Sequence, residues 1–208
     1  FNFSMSQKIL LITGGTGYIG SHAVVAFEQA GYKTIIIDNL SNSSRKSLDG
    51  IQKILWYTPD FYECDICDQT WLKNIFEKYS FDGVIHFAGL KAVGESCEEV
   101  GLYHSNNVWG SITLFWVMQE FWVHKIVFSS SATVYSPDNI SPLREDMPLA
   151  TTNPYGTTKL IIEKLLEDYT KHTNWRVVNL RYFNPIGAHS SWYIGDVPNG
   201  IPNNLLPY

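Results

Sequence analysis

The chain has 208 residues, 45% of them hydrophobic, and 15 basic against 20 acidic residues give it a net charge of −5. That length can bury one sizeable core, and the chain carries neither a basic cluster that would suit nucleic acid nor a run of about 18 apolar residues that would span a membrane. Three cysteines, an odd number, suit a reducing compartment, so a cytoplasmic protein is expected.

The first predicted strand is the run Lys8 to Thr13, which leads straight into Gly14-Gly15-Thr16-Gly17-Tyr18-Ile19-Gly20 and a helical pattern. A strand, a glycine turn and a helix in that order cradle a pyrophosphate. Gly14, Gly17 and Gly20 let the chain turn, approach the ligand and pack helix on strand, and the helix N-terminus offers unpaired N–H groups. A glycine cluster alone is equally a tight strand-to-helix turn. What tips the reading is the second strand, Thr34 to Ile37, which ends in Asp38, 18 residues past Gly20. A carboxylate there suits ribose hydroxyls and repels a 2′-phosphate, which favours NAD over NADP.

A polar loop from Asn39 to Ser47 and a helix at Lys46 to Leu55 follow, then a strand at Phe61 to Cys64 and a helix near Trp71 to Tyr79. The fourth strand, Gly83 to Phe87, runs into Ala88-Gly89. A long helical stretch covers Leu102 to Phe121, a fifth strand Lys125 to Ser129, a helix Tyr155 to Lys171, and a sixth strand Arg176 to Leu180. This alternation predicts an α/β fold: a Rossmann-like, doubly wound parallel sheet with helices on both faces and its ligands beyond the carboxyl ends of the strands. Those ends present Gly14 to Gly20, Asp38, Asp65, Phe87 to Gly89, Ser129 to Ser131 and Arg181 to Asn184, which should converge on one crevice. Cys64-Asp65-Ile66-Cys67 forms C-x-x-C on a strand end rather than a helix start, so free thiols are expected. The six histidines are scattered, and no metal is implied.

Tyr155 and Lys159 stand at i and i+4 on one helix face. Free tyrosine has a pKa of about 10, and a nearby ammonium should bring the phenol towards the working range. Ser131, at the end of the fifth strand, can share the same substrate oxygen. Together the three suit removal of a proton from a secondary alcohol whose carbon loses a hydride.

The segments GGTGYIGSH, DNLSNS, HFAGLKAVGES, SSSATVY, NPYGTTK, RYFNPIGAH and GIPNNLLPY resemble the UDP-glucose 4-epimerases of the extended short-chain dehydrogenase/reductase superfamily, nearest to the fungal type. The resemblance implies a tightly held NAD and interconversion of UDP-galactose and UDP-glucose through a 4-keto sugar. It places Tyr18 and Ile19 along the pyrophosphate and Asp38, Asn39, Leu40, Ser41, Asn42 and Ser43 around the adenosine ribose. Asp65 and Ile66 would flank the adenine. Phe87, Ala88, Gly89, Leu90, Lys91 and Asn106 would line the middle of the cofactor, with Lys91 near its phosphates and within reach of substrate. Tyr155 would be the base, with Ser131 assisting, and Lys159 would hold the nicotinamide ribose and tune Tyr155. Phe183 would touch the nicotinamide side, and Asn184, Asn204 and Leu205 would meet the nucleotide sugar. For Phe87 and Phe183, core packing is the competing reading.

The same resemblance divides the chain into an NAD-binding domain at 5–183 and the start of an incomplete substrate domain at 184–208, and implies a homodimer when the fold is complete. Ala132-Thr133 stands where nucleotide-sugar 4,6-dehydratases carry acidic residues, so dehydration is not expected. Ser136, Thr157 and Trp192 depart from the epimerase pattern. A tryptophan at 192, where glycine is usual, resists a positive φ. Trp109, Trp116 and Trp122 replace smaller or polar residues, as core, as interface or as marks of a drifting copy. The first methionine is Met5, and the chain stops at Tyr208 in a Pro- and Asn-rich segment. An N-terminal fragment is therefore expected, one that retains NAD and turns over UDP-sugars poorly. The alternative is a non-catalytic NAD-binding homologue.

Overall fold

A computed structural model describes residues 7–197. Its centre is a six-stranded, wholly parallel sheet in the order β3-β2-β1-β4-β5-β6. The strands are β1 (Ile9–Thr13), β2 (Lys33–Asp38), β3 (Asp60–Glu63), β4 (Gly83–His86), β5 (Lys125–Ser131) and β6 (Arg176–Tyr182). The helices are α1 (Tyr18–Gln29), α2 (Lys46–Leu55), α3 (Gln69–Lys78), α4 (Val93–Glu98), α5 (Val100–Tyr103), α6 (Gly110–Glu120) and α7 (Pro154–His172). A π-helical segment, His104–Trp109, joins α5 to α6.

Continuous apolar runs make the central strands because both sheet faces are covered. Alternation then sorts their side chains. Leu10, Ile12 and Ile36 pack with Val24, Val25 and Ile51 of α1 and α2. Leu11, Ile35 and Ile37 pack on the other face with Leu72, Phe115 and Ile162 of α3, α6 and α7. The chain starts at β1, winds outward to β3, and returns to pair β4 on the far side of β1. The strand order therefore reverses between β1 and β4, and a crevice opens at their carboxyl ends.

The doubly wound parallel sheet is as expected. β5 and β6 run two residues further than their predicted ends, which brings Ser131 into the sheet opposite Tyr182. The short helix α4 carries too little periodicity to be seen in sequence. Tertiary bonds hold it: the Ala92 N–H donates to Tyr103 Oη at 3.0 Å, and that hydroxyl donates to Glu95 Oε2 at 2.6 Å. Among the described residues no helix is long and apolar enough to cross a membrane.

Candidate active site

The glycine turn is locked by close approach. Gly14 has φ +68°, and a Cβ on it would lie 2.6 Å from Ala88 N; one on Gly20 would lie 2.1 Å from Gly14 O. These two positions press the turn against the end of β4 and α1 against the turn. Gly17 caps α1 in an extended conformation with no side-chain hydrogen bond. The first-turn N–H groups, those of Tyr18 and Ile19 among them, are thus left for an anion. This fits the diphosphate of a dinucleotide.

Asp38 first ties its own loop to the glycine turn. Its Oδ2 accepts from the Thr16 N–H at 3.1 Å, and its Oδ1 accepts from the Leu40 N–H at 3.0 Å and Ser43 Oγ at 2.9 Å. A carboxylate has about four acceptor sites, so roughly one remains for a ribose hydroxyl. Leu40 takes φ +58°, and Asn39 Oδ1 accepts from the Ser41 N–H, which closes the 38–43 turn around Asn42. Asn39 also donates to Asp65 Oδ2 at 2.8 Å. Burial pushes the Asp65 carboxyl up, but the Cys67 N–H and the Asn39 amide outweigh it and hold the group below its usual range. Ile66, expected beside the adenine, puts its side chain into the core against Gly110. Cys64 and Cys67 are free, and burial pushes their thiols up to about 12 and about 11, the opposite of what a reactive C-x-x-C needs.

At the end of β4, Phe87 packs against the α1–α2 core and Ala88 donates its N–H to Thr13 Oγ1 at 3.2 Å. Gly89 has φ +152°, and a Cβ there would stand 3.2 Å from Asn107 Oδ1 and 3.7 Å from Lys159 Nζ. Asn107 is buried and holds Leu90 from both sides, accepting from its N–H at 2.8 Å and donating to its carbonyl at 3.0 Å. It also donates to Thr158 Oγ1 at 3.1 Å. Sequence reading named Asn106, which donates to Asn107 Oδ1, and missed Asn107. The signal was available in the Asn-Asn pair, but not which of the two faces inward. Lys91 is exposed, with Nζ 3.9 Å from Asp196.

Helix α7 begins at an Asn153 cap, which accepts from the Gly156 N–H, with Pro154 in the first turn. This start fixes which residues face β5. Lys159 is buried and donates from Nζ to the Ser129 carbonyl at 2.8 Å. Its Nζ is 5.8 Å from the centroid of the Tyr155 ring, and burial lowers its pKa to about 8. The Ser131 hydroxyl favours the Tyr155 phenolate, yet burial is the larger effect and the phenol lies above its usual value. The expected lowering by a neighbouring ammonium is therefore not what the protein alone shows. Lys159 gives one of its three N–H donors to a backbone carbonyl and is itself desolvated, while Ser131 is the group that works on the phenol. Glu163, one turn further along the same face, pairs with Arg181; this pair also escaped sequence reading.

Beyond β6, Phe183 is 64% exposed and Asn184 is exposed, so core packing is excluded for Phe183. Tyr18 Oη donates to the Gly187 carbonyl at 2.5 Å, which draws this segment over the start of α1. Trp109, Trp116 and Trp122 all lie exposed on the surface, the first two in edge-to-face contact. Asn204 and Leu205 lie outside the described residues.

The crevice thus brings together the Gly14–Gly20 turn, the 38–43 loop, Gly89, Ser131, Tyr155 and Lys159. Known proteins of similar sequence and fold are epimerases. A UDP-glucose 4-epimerase of Bacillus subtilis is 50% identical over 96% of this chain and 59% of its own length. One from Neisseria meningitidis is 53% identical over 97% of this chain and 60% of its own. Among solved structures, the UDP-glucose 4-epimerase of Stenotrophomonas maltophila, with bound NAD and formylated UDP-arabinopyranose, superimposes with a TM-score of 0.94 at 42% identity, over 97% of this chain and 60% of that one. That of Bifidobacterium longum, in complex with NAD+ and UDP, gives 0.92 at 43% identity, over 95% and 60%. The chain spans about 60% of the length of these relatives. With the family profile matching residues 10–208, the chain belongs to the NAD dependent epimerase/dehydratase family.

Proposed function

We propose that this chain carries the cofactor-binding and catalytic portion of a UDP-glucose 4-epimerase, which interconverts UDP-galactose and UDP-glucose. The observation that carries the reading is the assembly of Ser131, Tyr155 and Lys159 at the carboxyl end of β5, beside Gly89 and the glycine turn. In this reading the uncapped start of α1 holds the NAD diphosphate, the 38–43 loop its adenosine ribose, and Lys159 its other ribose. NAD, when bound, supplies a reversible acceptor for the C4 hydride of the hexose. Tyr155 takes the C4 hydroxyl proton while Ser131 donates to the same oxygen. The 4-keto sugar then presents its opposite face, and Tyr155 returns the proton as C4 is inverted.

The proposal extends to the organisation of the chain. Residues 5–183 form the NAD-binding domain, and 184–208 begin a substrate domain in which Asn184, Asn204 and Leu205 meet the nucleotide sugar. A homodimer is supported by the exposed Trp109 and Trp116, cytoplasmic residence by the free thiols, and the lack of a nucleic-acid partner by the net charge of −5.

The test is a coupled UDP-galactose to UDP-glucose assay, with cofactor released from the purified chain by heat and quantified. Turnover that falls by about 10²-fold or more in Tyr155→Phe supports the proposal. Retention of NAD with no turnover in either protein would favour a non-catalytic NAD-binding role.

A further inference from the structure

Thr133 follows the catalytic serine by two residues and has no part in the proposed chemistry, yet two of its groups bond to that serine. Its backbone N–H donates to Ser131 Oγ at 3.2 Å, and its hydroxyl donates to the same oxygen at 2.9 Å. A serine hydroxyl has two lone pairs and one proton. With both lone pairs engaged by Thr133, Ser131 acts at the site through its proton alone, which goes to Tyr155 in the chain without sugar and to the C4 oxygen when sugar is bound. We propose that Thr133 is a positioning residue that holds Ser131 as a hydrogen-bond donor to Tyr155 and so promotes ionisation of the phenol. The inference rests on the reading of Ser131 and Tyr155 as partners in proton transfer.

The fold secures Thr133 independently of Ser131. It lies in the short 3₁₀ turn Ala132–Val134 that ends β5, and α7 is seated directly on it at the residue after Tyr155. A Cβ on Gly156 would lie 2.8 Å from the Thr133 carbonyl and 3.1 Å from its Oγ1. Glycine at 156 therefore lets the tyrosine helix close onto the threonine that orients the serine. The effect on the phenol agrees in direction: burial raises Tyr155, and Ser131 opposes it. The other ionisable groups facing the phenol are Lys159 on its own helix and Tyr103 of α5, which bonds to Glu95 of α4. All three stay in place in the variants below.

The experiment follows Tyr155 ionisation in the full chain by NMR of tyrosines labelled at Cζ, the Tyr155→Phe protein identifying the resonance. It needs neither cofactor nor sugar, so it reports on Thr133 even where the chain turns nothing over, and the coupled assay tests the function separately. Thr133→Val keeps the shape and removes the hydroxyl, and it should weaken ionisation of Tyr155 about three- to tenfold. Thr133→Ser restores a hydroxyl and should return the midpoint to that of the parent. In a Ser131→Ala background, Thr133→Val should have no further effect. If valine prevents folding, Thr133→Ala gives the same comparison. An unchanged midpoint in the valine or alanine variant, a serine variant that fails to restore it, or an equal shift without Ser131 each overturns the proposal.

Discussion

Arg181 grips Glu163 with two nitrogens, Nε to Oε1 at 3.0 Å and Nη2 to Oε2 at 2.8 Å, and the carboxylate is also bonded by the Ser130 hydroxyl. Tyr155, Lys159 and Glu163 recur every four residues on α7, so they form one stripe along the helix. They answer three consecutive serines of β5: Tyr155 faces Ser131, Lys159 the Ser129 carbonyl, and Glu163 the Ser130 hydroxyl. Arg181 then ties this stripe to the end of β6.

Breaking that pair should be costly, because one charge would stay behind. The side chains are only 5% and 17% exposed. Glu163→Gln leaves the Arg181 guanidinium without its counter-charge and should lower unfolding stability by about 3 kcal/mol in urea titration. A loss below about 1 kcal/mol would show that solvent or the Glu145 carbonyl, which Arg181 also contacts, compensates.

Lys159 gives the chain an alkaline signature. The folded chain releases this proton at about 8, because burial disfavours the ammonium. An unfolded chain keeps it to about 10.4. Between those values the unfolded state binds more protons, so stability must rise with pH. Below about 8 both states are charged and the penalty is carried in full. Urea midpoints of the parent chain, compared with Lys159→Met at pH 7 and pH 10, should show a relative gain on the order of 2 kcal/mol for the parent. Parallel pH dependences for the two proteins would mean that Lys159 is not desolvated as described.

His86 should be silent where free histidines titrate. It is fully buried, with Thr13 Oγ1 2.7 Å from Nδ1 and Ser111 Oγ 3.0 Å from Nε2. Ser111 spends its proton on the Asn107 carbonyl, so it accepts from Nε2–H, and in the neutral ring Nδ1 accepts from the Thr13 hydroxyl. Burial, with Lys159 adding repulsion, lowers its pKa to about 3. The unfolded chain takes up this proton near 6.5, so stability is whole above that pH and declines as pH falls towards 3. In a histidine NMR titration from pH 8 to pH 5, the His86 ring signals should not move, and a midpoint near 6.5 would contradict the buried network.

The residues that made the site legible are those whose chemistry or backbone is rare: glycines at a close approach, a carboxylate at a strand end, a tyrosine and lysine one turn apart. The doubly wound parallel sheet followed from strands alternating with helical stretches, though not the order of its strands. What sequence could not carry is how a residue divides its bonds between fold and ligand. Asp38 stands where the ribose rule puts it, yet two of its bonds shape its own loop and a third ties it to Thr16 of the glycine turn. Ile66 lies beside Asp65 in sequence but turns into the core. Lys159 reads as a group that tunes a phenol and is found on a backbone carbonyl. At Trp192 the local rule was informative: the residue takes φ +63°, the left-handed region that a glycine would fill without strain.

Asn107 tests whether the wall of the crevice is built by that one side chain. It meets both polar groups of Leu90 and the Thr158 hydroxyl one residue before Lys159. It also receives a bond from Asn106 and its carbonyl accepts from Ser111, so the π-helical segment, the β4 turn and α7 meet at one buried amide. Asn107→Ala leaves the Leu90 N–H without its acceptor, at a cost of about 1–3 kcal/mol, and frees the Gly89–Leu90 turn to move. Unfolding stability should fall by that amount, and NAD affinity about tenfold, as read from urea titration and quenching of intrinsic fluorescence. Loss of stability with unchanged NAD affinity would make Asn107 a packing residue alone, because a turn that shifted away from Lys159 could not hold the dinucleotide in the same place.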